Sequence, residues 1–302
     1  MKSIMPNLWF DKNAEEAVKF YTALFKNSKI GNSQRYGKEG FEFHQMPEGT
    51  LMTVEFELFG QKFLALNGGP IFKFSEAVSF FIYCESETEI LNFYNSLSND
   101  GKVIMKLDKY DWSEKYAWVI DKFGISWQLD ITKSDSPQKI VPTLLFVNDK
   151  ITKVKEAIDH YTNIFPESKI IFKFENPAND KIKEETIMFA QFALSGVFFN
   201  AMSGEGKHEF DFNESISFIV NCDSQEEIDF FWEKLGKDGD PKAQQCGWLK
   251  DKFGVSWQIV PSKLGKLLNS GNKEQSSTVM NELLKMKKLD LEVLEKAYSS
   301  KS

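Results

Sequence analysis

DKFGISWQ at residues 121–128 returns as DKFGVSWQ at 251–258, identical at seven of eight positions and offset by 130 residues. A repeat of this kind points to an internal duplication and sets the frame for every other segment. Outward from it, FYTALFKNSKI (20–30) pairs with HYTNIFPESKI (160–170) at an offset of 140. FSEAVSFFIYCESETEI (74–90) pairs with FNESISFIVNCDSQEEI (212–228) at an offset of 138. The offsets drift where loops differ in length, while the order of the matches is kept.

Within one copy the hydrophobic period alternates between strand and helix. MPNLWF (5–10) reads as a short apolar strand, and Ala17, Phe20, Tyr21 and Leu24 then share one helical face. LMTVEFELFG (51–60) alternates as a strand and turns through Phe59-Gly60-Gln61 into KFLALN. AVSFFIYC (77–84) is a further strand. Ser86 and Glu89 have capping-box spacing ahead of a helix that buries Ile90, Phe93, Tyr94 and Leu97. KYAWVID and GISWQLDI close the copy as a hairpin turning at Lys122 to Gly124. The second copy repeats the cap at Ser224 and Glu227 and the stripe at Ile228, Phe231, Trp232 and Leu235.

The unit is β-α-β-β-β, used twice per copy and four times in the chain. The predicted fold class is α+β: a tandem duplicated domain, each copy built of two βαβββ modules. These form a curled, mostly antiparallel sheet with helices on the outer face, and the other face becomes a cup. The expected domains are 1–134 and 138–262. Residues 263–302 read as a polar linker followed by two C-terminal amphipathic helices, with Asp290 as an N-cap between them.

A chain of 302 residues accommodates two such domains. Its net charge of −7 and lack of a long basic run argue against a nucleic-acid partner. The KMKK run from Lys285 to Lys288 reads as a solvated helix face. No stretch has signal-peptide or membrane-spanning character, so no membrane partner is expected. Three cysteines without a CxxC pair fit reduced thiols and a cytoplasmic location. The 28 phenylalanines supply large, stiff side chains for a core or an apolar pocket.

LWFDKNAEEAVKFYTALF, ALNGGPIFKFSEAVSF and CGWLKDKFGVSWQIVP (246–261) resemble the PhnB-like branch of the glyoxalase/bleomycin-resistance/dioxygenase, or vicinal-oxygen-chelate, superfamily. That branch also carries the label 3-demethylubiquinone-9 3-methyltransferase-like. The resemblance covers roughly residues 4–132 and 140–261. It implies paired βαβββ modules, an intrachain pseudo-dimer of the two repeats and a cup-shaped ligand site. The cups can form within a repeat or between the two. A methyltransferase site ordinarily needs a glycine-rich turn between strand and helix. Gly68-Gly69-Pro70 is the nearest candidate and reads as a tight turn instead.

Metalloenzymes of the superfamily are similar in ligand placement, and that resemblance puts Pro6, Ala65, Ser79 and Gln128 at the ligand positions. In the second copy it puts Pro142, Ala201, Ser217 and Gln258 there. Proline and alanine carry no donor, and serine is a poor ligand. His44, His160 and His208 form no HxH or HxxxH pair, and His160 matches Phe20 on a helix face. We therefore expect no metal and no cofactor.

Strand alternation places Ser126 with Gln128 in the cup and Trp127 under the helix. The expected ligand-binding cup comprises Phe10, Asn67, Ser79, Tyr83, Gln128, Phe146, Ser217, Asn221 and Gln258. Leu8, Phe63, Phe81, Leu144 and Ser256 join them. Such a lining suits a small, partly apolar ligand, and the same phenylalanines could equally fill a closed core. Cys246 could be a buried structural thiol or a nucleophile. Asp121 and Asp251 could be turn formers or general bases. The expected function is metal-free binding of a small molecule. The alternatives are a superfamily lyase, isomerase or transferase working without the usual metal quartet, or a structural protein whose C-terminal helices contact a partner.

Overall fold

The computed structural model describes residues 4–131, 138–176, 186–269 and 272–300. The boundary expected at residue 134 lies outside them. The first module runs β1 (Ile4–Phe10), α1 (Ala14–Leu24), β2 (Lys29–Arg35), the short α2 (Phe41–His44), β3 (Leu51–Leu58) and β4 (Gln61–Asn67). The second runs β5 (Val78–Tyr83), α3 (Glu87–Ser98), β6 (Lys102–Tyr110), β7 (Ser113–Ile120) and β8 (Ser126–Asp130). The third runs β9 (Ile140–Phe146), a 3-10 turn (Asn148–Lys153), α4 (Val154–Ile164), β10 (Lys169–Asn176), β11 (Thr186–Leu194) and β12 (Val197–Ser203). The fourth runs β13 (Ile216–Cys222), α5 (Gln225–Gly236), β14 (Asp240–Gln245), β15 (Trp248–Lys250) and β16 (Ser256–Pro261). Three helices follow: α6 (Leu264–Asn269), α7 (Lys273–Lys285) and α8 (Leu291–Ser299).

The modules pair across the repeats rather than within them. The first sheet has the order β14-β15-β16-β13-β1-β4-β3-β2, and the second β10-β11-β12-β9-β5-β8-β7-β6. The seam of the first is the antiparallel pair β1–β13, with Asn7 opposite Ser217. The seam of the second is β5–β9, with Ser79 opposite Thr143. Each eight-stranded sheet thus takes one module from each copy, and neither closes on itself.

One apolar core joins the helix-facing sides of both sheets. Phe63 of the first sheet meets Phe80 of the second at 5.6 Å, and Phe199 meets Phe218 at 5.0 Å. Trp127 and Trp257 are buried in this core, packed on Phe25 and Phe165 of the α1 and α4 ends. Burial of side chains this large contributes on the order of 2–3 kcal/mol each. The two cups therefore lie on the sheet sides that face away from this core.

The DKFG turn fastens helix to sheet. Asp121 Oδ1 accepts the backbone N–H groups of Phe123 and Ile125, while Gly124 takes the left-handed conformation that closes the turn. Oδ2 accepts Tyr21 O–H at 2.6 Å and Trp127 Nε1–H at 2.8 Å. Asp251 repeats this with Tyr161 and Trp257. Burial raises the pKa of both carboxyls, and the donated hydrogen bonds oppose the shift. With all four contacts structural and on the helix side, the aspartates act as turn formers.

The C-terminal segment departs from the linker reading. α6 and α7 take up much of SKLGKLLNSGNKEQSST, and Asn272 and Gln275 form a reciprocal capping box at the start of α7. Asp290 caps α8 by accepting Val293 N–H. Leu267, Val279, Leu283, Leu289, Leu294 and Ala297 form a separate small core, against which Cys246 and Val260 pack. Among the described residues no helix is long and apolar enough to cross a membrane.

Candidate functional site

Strand phase decides which side chains reach a cup. In β1, Pro6, Leu8 and Phe10 alternate with Met5, Asn7 and Trp9. Leu8 and Phe10 belong to the helix-side core, so Asn7 and Trp9 hold the cup side. Phe63 and Ala65 of β4, and Leu144, Phe146 and Ala201 of the third module, sit in the same core. Asn67 has the phase of Phe63. Its Oδ1 accepts the first N–H of α1 from Ala14, and its Nδ2 donates to Leu51 O. The expectation that Phe10, Asn67 and Phe146 line a cup is therefore corrected, and Leu8, Phe63 and Leu144 go with them. The remaining candidates divide between two sites: Ser79, Tyr83 and Gln128 on the second sheet, and Ser217, Asn221 and Gln258 on the first.

The second cup is filled by its own side chains. Phe81, Tyr83, Tyr116 and Val141 form a buried cluster, flanked by Met105, Tyr110, Trp118, Phe189 and Phe198. Its polar groups are matched donor to acceptor. Gln128 Nε2 donates to Ser79 Oγ at 2.8 Å, and Gln128 Oε1 accepts Tyr116 O–H at 2.6 Å. Trp118 Nε1 donates to Ser126 Oγ at 2.7 Å. Asn200 Nδ2 donates to Thr143 Oγ1 at 3.2 Å, and Gln191 Nε2 to the Tyr83 hydroxyl oxygen at 3.0 Å. Burial pushes the Tyr83 hydroxyl up to about 12.

The first cup has the same floor without the donors. Gln258 Nε2 donates to Ser217 Oγ at 2.9 Å, and Asn7 Nδ2 reaches the same oxygen at 3.4 Å. Asn7 Oδ1 and Ser256 Oγ are buried without a hydrogen-bond partner. An unmatched buried polar group costs about 1–3 kcal/mol, so a native structure that keeps two on one sheet face, on either side of Ser217, calls for a reason. The reason for their isolation is local. The hairpin β14–β15 turns at Cys246-Gly247, both left-handed, where β6–β7 continues to Asp111-Trp112. No phenol occupies the position of Tyr116. Trp248 has the register of Trp118, but its ring packs edge-on against Trp9, 5.9 Å away, instead of bonding the serine. Leu64, opposite Asn7 in β4, stands where Asn200 stands opposite Thr143.

A cavity of about 540 Å³ opens next to this floor, lined among others by Met5, Glu55, Lys62, Asn221 and Asp223 but not by Asn7, Ser217, Ser256 or Gln258 themselves. That is the size range of small-molecule sites. α6 to α8 stand over the cup and reach both rims. Cys246 N–H and Gly247 N–H donate to the carbonyls of Met286 and Lys287, and Lys273 pairs with Glu48 on the far side. Cys246 is half-buried, and burial raises its thiol pKa, opposite to what a thiolate nucleophile needs.

A divalent metal does not fit either floor. Pro6 and Ala65 point to the helices, leaving Asn7, Ser217 and Gln258 in one cup and Thr143, Asn200, Ser79 and Gln128 in the other. All are neutral amides and hydroxyls, weak ligands for transition metals. Among the described residues, no three His, Cys, Asp or Glu side chains gather as a metal group. His44 and His208 are engaged with the carbonyls of Glu39 and Glu205, and His160 packs on Phe253.

The profile of the 3-demethylubiquinone-9 3-methyltransferase family matches residues 2–130 and again 138–260. The chain belongs to this family. The PhnB protein of Bacillus cereus, a member by its description, is 38% identical over 42% of this chain and 98% of its own, with a TM-score of 0.39. Glyoxalase I from Zea mays is 11% identical over 87% of this chain and 94% of its own, with a TM-score of 0.54, which shows a shared fold. No curated protein matches the chain. The methyltransferase in the family's name has no support from the Gly68-Gly69 turn. A Cβ on Gly68 would lie 2.2 Å from the Trp9 ring, and Gly69 O accepts Trp9 Nε1–H at 2.8 Å. Those glycines cradle Trp9.

Sequence reasoning missed Asn7, Trp9, Trp248, Trp118, Thr143 and Asn200. A polar Asn7 inside an otherwise apolar strand was the available signal.

Proposed function

We propose that this protein binds a small molecule without a metal, in the first cup, between module one of the first repeat and module two of the second. The observation that carries this reading is the contrast at equivalent positions. Ser126 Oγ is satisfied by Trp118, whereas Ser256 Oγ, equally buried, is unmatched, as is Asn7 Oδ1 across Ser217 on the same sheet face. A ligand would supply what the chain omits. The second cup is a closed core that braces the two repeats into an intrachain pseudo-dimer. The floor residues Asn7, Ser217, Ser256 and Gln258 do not titrate near neutrality, which favours hydrogen-bonded recognition over proton transfer. Native mass spectrometry of the full chain tests the reading. We expect one small molecule per chain. Two per chain, one for each cup, or none at all would refute it.

A further inference from the structure

Resting on that reading, we propose that the ligand is a planar aromatic ring bearing N–H or O–H donors, of the phenol or indole type. The second cup shows what its floor requires, because the chain fills that floor with its own phenol and indole. There, Tyr116 O–H reaches Gln128 Oε1 at 2.6 Å and Trp118 Nε1 reaches Ser126 Oγ at 2.7 Å. Asn200 Nδ2 reaches Thr143 Oγ1 at 3.2 Å. The matching acceptors of the first cup are Gln258 Oε1, Ser256 Oγ and Asn7 Oδ1. Each of the three donors has gone in a different way. The tyrosine is lost to a shortened hairpin, the tryptophan is turned onto Trp9, and the asparagine is replaced by Leu64.

Of these three acceptors, Ser256 Oγ and Asn7 Oδ1 are buried without a partner, and a donor-bearing ligand would match them. The walls specify shape. Trp9 and Trp248 stand edge to face at an interplanar angle of 82°, with Leu64 and Ile219 as apolar neighbours on the same sheet face, a wall that suits a planar ring. Lys250, opposite Ser256 in β15, is already paired with Glu214, and Asn7, Ser217, Ser256 and Gln258 are uncharged, so the part of the ligand held there is neutral.

The test is calorimetric titration of the full chain with phenol and indole, and with anisole and 1-methylindole, which keep the ring and block the donor. Phenol and indole should bind, and each blocked analogue should bind at least about tenfold more weakly, since a site of unmatched acceptors rejects a ligand without donors. Ser256→Ala should narrow that gap. Leu64→Asn, which offers Asn7 an internal donor as Asn200 does for Thr143, should weaken the parents. Both sites are on the cup side, and circular dichroism confirms their folding. If the blocked analogues bind as well as the parents while Leu64→Asn still weakens all four, the ligand class is wrong and the cup assignment stands. If binding ignores both substitutions, the class and the cup assignment both fall. Absence of binding by all four overturns the class, and the ligand count from native mass spectrometry then judges the cup by itself.

Discussion

Tyr21 donates its hydroxyl to Oδ2 of Asp121 at 2.6 Å, and that bond spans two modules of one repeat that belong to different sheets. With Trp127 and two backbone groups on the same carboxylate, Asp121 accepts four donors. An amide can accept at only one of its two atoms. Asp121→Asn should therefore cost about 3 kcal/mol in urea unfolding, and Tyr21→Phe about 1–2 kcal/mol. Loss of ligand binding with unchanged stability would mean that the carboxylate serves chemistry instead.

The serines of the two floors should respond oppositely. Ser126→Ala removes the acceptor of Trp118 and should destabilise by about 1 kcal/mol or more. Ser256→Ala deletes an unmatched hydroxyl and should leave the ligand-free protein unchanged or slightly more stable. Equal losses at both sites, measured by denaturant midpoint, would contradict the contrast on which the functional reading rests.

Asn67→Ala should destabilise by about 1–2 kcal/mol, because it uncaps α1 at Ala14 and frees the carbonyl of Leu51. Ligand affinity should be unaffected, since its side chain lies on the helix side. A selective loss of affinity would restore it to the cup.

His160 gives a pH prediction. Burial, with Lys252 adding to it, lowers its pKa below the usual histidine value. The unfolded chain then binds the proton more readily, so stability should fall as pH drops through about 6.5 towards the depressed folded value. Phe20 holds the equivalent place in the first repeat. His160→Phe should keep the stability at neutral pH and remove this acid slope. An unchanged slope would exclude His160 as its source.

The repeat motif made most of the fold legible, because DKFG ties turn, helix and strand into one unit. Phase was legible where a strand had a marker: Trp127 and Gln128 alternate between a core side and a polar floor. It failed in β1 and β9, where both faces are apolar and no period separates Leu8 from Trp9. Asn67 read as a site residue because a cap and a ligand contact look alike in sequence. The pairing of modules across repeats was not legible, since it depends on how strands β1 and β5 find partners and not on their composition.

The central claim is that a ligand enters the first cup and leaves the second closed. The most direct measurement is fluorine NMR of the full chain carrying 5-fluorotryptophan at its seven tryptophans, titrated with indole. We predict that the Trp9 and Trp248 resonances shift together while Trp112 and Trp118 stay in place. Shifts at Trp112 or Trp118, with Trp9 and Trp248 unmoved, would contradict it.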